Sequence, residues 1–166
     1  MHFQPMFTPK EMLHRGVFGG TYFNDSIDPK DFPADWFEGL NERYYASPNY
    51  LTDVNYFKVK SGQSLREWQD NGWIHKDDPR GWFEWYCKYY TGRRHEDDER
   101  QIKRWLAFCG PNGRWRNYIY RKLHSIGCPV EASSEISARV QQSLLHWSYA
   151  VNNRDYLDWK TRIKRQ

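Results

Sequence analysis

The chain has 166 residues, 39% of them hydrophobic and 18% aromatic, a size that suits one ordinary domain with large rings supplying much of the core. A mean hydropathy of -1.01 would fit a disordered chain, but disordered chains are poor in aromatics, so disorder is excluded. The net charge of +4 is unevenly placed: residues 1–99 hold 12 Lys/Arg and 17 Asp/Glu, whereas residues 100–166 hold 13 and 4, which points to a polyanionic partner for the second part.

Thr8-Pro9-Lys10-Glu11 predicts a helix start with a capping box, and Gly16 ends that helix within two turns. Residues 17–23 read as an aromatic loop or a short strand, and Asp35-Trp36-Phe37-Glu38 as one helical turn stopped by Gly39. Residues 41–63 show no period and read as an ordered loop pinned by aromatics, with a short extended piece at 56–59. Ser64-Leu65-Arg66-Glu67 repeats the capping box, and Asn71-Gly72 closes that helix.

Asp78-Pro79 predicts the start of a central helix running to Gly92, aromatic on two faces through Trp82, Phe83, Trp85, Tyr86, Tyr89 and Tyr90. The next helix opens on the acids 96–99, which suit the positive end of a helix dipole, and carries Ile102, Trp105, Leu106 and Cys109 as an apolar stripe. Gly110-Pro111-Asn112-Gly113 is a turn. A third helix places Trp115, Tyr118, Ile119, Leu123 and Ile126 on one side, and Cys128-Pro129 breaks it. Ser133, Ser134 and Ser137 offer caps for a helix through Val140, Leu144, Leu145 and Trp147, and a weaker pattern runs from Tyr156 to Ile163. The expected architecture is all-α, a single domain over 1–166 with an acidic aromatic part (1–99) and a basic helical part (100–166).

Three candidate chemistries follow. Arg93, Arg94, Arg100, Lys103, Arg104, Arg114, Arg116, Arg121 and Lys122 surround two helices joined by a tight turn, and no acid lies between Arg100 and Lys122. Guanidinium, ammonium and turn amides gathered there would suit phosphate oxygens. Solvation of that face with i,i+4 pairs such as Glu99–Lys103 is the plainer alternative. Trp73, Trp82 and Trp115 are candidates for stacking on bases, against the usual role of such rings as core.

Catalysis has two weak candidates, Glu84 among the aromatics and Asp97 beside His95, as acid or base in an aromatic pocket for a base or nucleotide. The histidines show no ligand spacing, Gly19-Gly20 lacks a phosphate-loop context, and the three cysteines are too scattered for a disulfide framework or a zinc site. No metal and no cofactor is expected. No apolar run approaches the ~20 residues of a membrane span, and Met1-His2-Phe3-Gln4-Pro5 lacks the form of a secretory signal, so an intracellular, reducing setting without a membrane is expected.

Phe7-Thr8-Pro9-Lys10-Glu11-Met12-Leu13 with Gly16-Val17-Phe18-Gly19-Gly20, the segment Asp78 to Cys87, and the segment Asp97 to Trp105 resemble a family of small tryptophan-rich proteins of tailed phages, large viruses and some microbial eukaryotes. The likeness spans most of residues 7–150. It carries over no catalytic residue; the host-cell setting that it implies, cytoplasm or nucleus, tilts the expectation toward DNA over RNA. The leading expectation is a nucleic-acid-binding protein. The rivals are an enzyme with a carboxylate in an enclosed pocket and a protein-interaction module with an exposed aromatic patch.

Overall fold

The computed structural model describes residues 3–24 and 28–165; Met1 and His2, at the head of the stretch read above for a leader, lie outside the described residues. The fold is all-α. Among the described residues there are seven α-helices, five short 3₁₀ turns and no sheet, the sole bridge pairing His75 with Asp78. The helices are α1 (Pro9–His14), α2 (Leu65–Asp70), α3 (Trp82–Tyr90), α4 (Asp98–Cys109), α5 (Arg114–Ile126), α6 (Ala138–His146) and α7 (Asn153–Ile163). None is long and apolar enough to cross a membrane.

Local chemistry accounts for most of these boundaries. Thr8 accepts from the Glu11 amide while Glu11 reaches back to the Thr8 amide at 2.7 Å, and Ser64 and Glu67 do the same for α2. The expected start of α3 moves. Asp78 closes a turn in which the Gly81 amide donates to its carbonyl at 2.8 Å, and the helix begins at Trp82. Asp78 does not cap because its carboxylate is held elsewhere, by Arg93 and Lys88. Ser137 precedes α6 without capping it; its hydroxyl accepts from Lys122 Nζ instead.

α3 is the core element. Trp82, Phe83, Glu84, Trp85, Tyr86 and Cys87 are all buried, and α1 and α4 pack against it. Trp85 is fully buried with its Nε1–H on Asp98 Oδ1 at 2.8 Å, so this indole is enclosed without an orphaned donor. Burying a ring of that size contributes ~4–6 kcal/mol as an upper value. α5 lies between α4, α6 and α7. It buries Ile119 and Leu123 as expected, but Tyr118 and Ile126 face outward, because the buried stripe rotates toward Arg116 and Tyr120.

The segment before α2 is a chain of turns, and neither proposed strand forms. At Gly20 the backbone approaches Arg43 so closely that a Cβ would stand 2.0 Å from the Arg43 carbonyl oxygen, at a φ of +82°. Only glycine fits that crossing. At 56–59 Lys58 turns left-handed, with φ 54°, and Asn55 bonds back to Val59, so the piece is a turn. The segment before α1 is clasped to the turn after α6 at Ser148, whose Oγ accepts from the Phe7 amide at 2.8 Å and donates to the Phe7 carbonyl at 2.7 Å.

Candidate functional site

The nine cations expected to form one outward field do not do so. Arg93 holds Asp78 through two bonds of 2.9 and 2.6 Å, Arg100 holds Asp97 at 2.5 and 2.7 Å, Lys103 pairs with Glu99 at 2.6 Å, and Arg116 pairs with Asp155 at 3.0 Å. Arg116 is itself buried, over the Tyr149 ring at 4.8 Å. Arg104 donates to the Trp73 carbonyl at 3.0 Å and lies over the rings of Trp68 and Trp147, where burial lowers its pKa to about 10.

Arg94 donates to the carbonyls of Tyr89 and Arg93 and covers the Tyr89 ring at 4.0 Å, and Lys122 donates to Ser137. Of the nine, Arg94, Arg114 and Arg121 stay exposed and unpaired by any carboxylate among the described residues. Arg100 and Lys103 take their acids from the preceding turn, whereas Arg93 and Arg116 take theirs from distant parts of the chain.

Both carboxylates considered for catalysis are engaged. Glu84 is buried as expected, yet Oε1 binds Lys88 at 2.6 Å and Oε2 accepts the Arg80 amide at 2.9 Å. Asp97 is pushed up by burial, but the hydrogen bonds and charge of Arg100 outweigh that and hold it below the ordinary carboxylate value. Neither reaches the main cavity. Glu84 and Asp97 thus lie away from that cavity, each held by a neighbouring cation.

That cavity, about 970 Å³, is the feature the structure adds. Five tryptophans reach its wall: Trp68, Trp73, Trp82, Trp115 and Trp147. Trp73 and Trp115 are half-buried, whereas Trp82 is only 3% exposed and packs on Trp147 and Tyr86, so it belongs to the core. Lys60, Arg80, Arg114 and Arg139 also line it.

Glu67 is the one carboxylate on the wall among the described residues, and it is spent on the α2 cap, whose amide and hydroxyl donors hold its pKa down. A volume near the upper end of small-ligand sites, with aromatic walls and a cationic balance, suits a flat ring bearing negative charge.

The cavity thus gathers Trp73, Trp82, Trp115 and Arg114 from the sequence candidates and leaves out Arg93, Arg94, Arg100, Lys103, Arg104, Arg116, Arg121 and Lys122. Sequence reading missed Trp68, Trp147, Lys60, Arg139 and His146. A tryptophan on a short, mostly polar capped helix was the available sign of Trp68. Nothing local marks the others, since α6 meets the 60–73 segment only through the fold.

A second cluster joins residues 20 apart. The rings of His75 and His95 meet edge to face at 4.8 Å, His95 Nε2 contacts Asp77 Oδ2 at 2.9 Å, and His75 Nε2 lies 3.7 Å from Glu96 Oε1. These are metal-ligand types in proximity, which the spacing had not suggested. However, the amides of Asp77 and Asp97 donate to the two Nδ1 atoms at 3.2 Å, which puts the ring protons on Nε2, the atoms that a cation would need. The group works as a clasp of imidazoles on carboxylates.

No family model, curated protein or solved structure matches this chain.

Proposed function

We propose that the protein binds single-stranded nucleic acid, DNA in preference to RNA, by seating an unstacked base in the tryptophan-lined cavity with the flanking phosphates against Lys60, Arg114 and Arg139. The observation that carries this reading is the pairing of two half-buried indoles, Trp73 and Trp115, with cations around a cavity whose one carboxylate among the described residues is already engaged. Stacking on such rings contributes ~1–3 kcal/mol per base and needs no particular sequence. A duplex reader would want an uninterrupted row of free cations, and the ion pairs of Arg93, Arg100, Lys103 and Arg116 remove it. Resemblance to tryptophan-rich phage and viral proteins, and a setting inside a host cell, belong to the same proposal.

Titration of tryptophan emission with oligothymidylate, its RNA counterpart and a duplex, across a salt series, tests it. Three phosphate contacts at about −0.7 each give a slope of log affinity on log salt of about −2 for the single strand. Trp115→Ala weakens binding by about tenfold, and Arg114→Ala makes the slope shallower by about 0.7. Tighter binding of the duplex, or no binding at low salt, overturns the proposal.

A further inference from the structure

One polar group on the cavity wall has its chemistry set by the fold. His146 ends α6, lines the cavity and stacks on Phe18, with ring centroids 5.1 Å apart. Its Nε2 lies 3.0 Å from the Val17 carbonyl oxygen, which also accepts from Gln142 Nε2 at 2.8 Å. A carbonyl oxygen has no proton to give, so Nε2 carries the ring proton and Nδ1 presents a lone pair. Desolvation keeps the ring neutral by lowering its pKa to about 4.

Nδ1 has no partner among the described residues, and the chain leaves it uncovered. A Cβ on Gly62 would stand 3.1 Å from Nδ1 and 3.2 Å from Cε1, so a side chain at that position would crowd the face that glycine keeps open. The nearby hydroxyls satisfy each other: Ser61 Oγ donates to the Arg139 carbonyl at 2.5 Å, and Ser143 Oγ lies 2.5 Å from Ser61 Oγ, to which it can donate. Around the rest of the cavity the charged groups Lys60, Arg114 and Arg139 are donors. The wall therefore asks for an anion at one place and a hydrogen-bond donor at another.

Resting on the single-strand reading above, we infer that His146 Nδ1 accepts an N–H from the edge of the seated base, so that His146 separates a hydrogen-bonding base from a flat ring of the same shape. A site built around such an acceptor rejects a ligand that leaves it unpaired.

The test uses two strands of abasic sugar-phosphate, one carrying a single thymine and the other a single difluorotoluene, which copies the shape of thymine without its N–H. The full-length protein binds the thymine strand about tenfold more tightly, the cost of one unmet hydrogen bond. His146→Phe, which keeps a ring against Phe18 and offers no acceptor while Gln142 still donates to the Val17 carbonyl, binds both strands equally and at the weaker level. In the unaltered protein, nitrogen NMR shows the Nδ1 resonance in the lone-pair range, shifting with the thymine strand and not with the other. That measurement stands even if the variant fails to fold. Equal binding of the two strands by the unaltered protein, with quenching by both, overturns the role of His146 and leaves the single-strand reading intact. No binding of either overturns both.

Discussion

Asp78 has no exposed surface, and three charged or polar demands meet on it: the two guanidinium nitrogens of Arg93 and the ammonium of Lys88, which also reaches Glu84. Removing one member of a buried charged set strands the others, so Asp78→Ala lowers stability by ~3–5 kcal/mol in urea unfolding, far more than loss of the exposed Glu99–Lys103 pair. His146 gives stability a dependence on pH. Its folded pKa of about 4 lies below the ordinary 6.5, so the fold favours the neutral ring. Above pH 6.5 this costs nothing; as pH falls from 6.5 to 4 the unfolded chain takes up a proton that the folded ring refuses, and ~3 kcal/mol of stability is lost. Urea midpoints measured down that window fall more steeply for the unaltered protein than for His146→Gln. At this scale the sequence disclosed local partners well, such as Thr8 with Glu11 and Glu99 with Lys103, because three or four residues separate them. It hid Asp78 with Arg93 and Asp155 with Arg116, whose pairing depends on how distant segments pack.

α2 differs from every other helix in burying none of its residues. It is held by its own capping box and by one side chain, Trp68, which lies beneath Arg104 and against Trp73 and Trp147. Ser64→Ala therefore costs ~1 kcal/mol locally, seen as faster amide exchange in 65–70, while the global unfolding midpoint barely moves. The helices were legible from capping boxes at α1 and α2, from apolar periods at α4 and α5, and from a glycine near the end of each. The start of α3 was misread since Asp78 and Pro79 form a sound cap-and-first-turn pair that a tertiary ion pair overrides. The outward turn of Tyr118 and Ile126 has a similar origin: with buried Arg116 paired to half-buried Asp155, the inner face of α5 shifts round the helix.

Across the whole molecule the first described residues complete the core. The Phe3 ring touches Trp82, Trp85 and Trp105 with centroids 6.5, 5.6 and 5.2 Å away, and the Met6 amide donates to the Ser148 carbonyl at 2.8 Å. Deleting residues 1–7 removes that plug and the clasp at Ser148 together. The full chain loses near- and far-ultraviolet dichroism in one coincident transition; the shortened chain loses the near-ultraviolet signal first. Two cations just past the charge boundary, Arg100 and Lys103, are neutralised by Asp97 and Glu99 within one turn, while Arg93 and Arg116 find acids within their own parts of the chain. The cavity could not be read beforehand, because its walls are drawn from residues 18 to 147. Its outer wall, α2 with the turns beside it, contributes almost nothing to the folding core. Substitutions there can accumulate with little penalty in foldability, so descendants of this chain can drift toward new ligands while keeping the same skeleton.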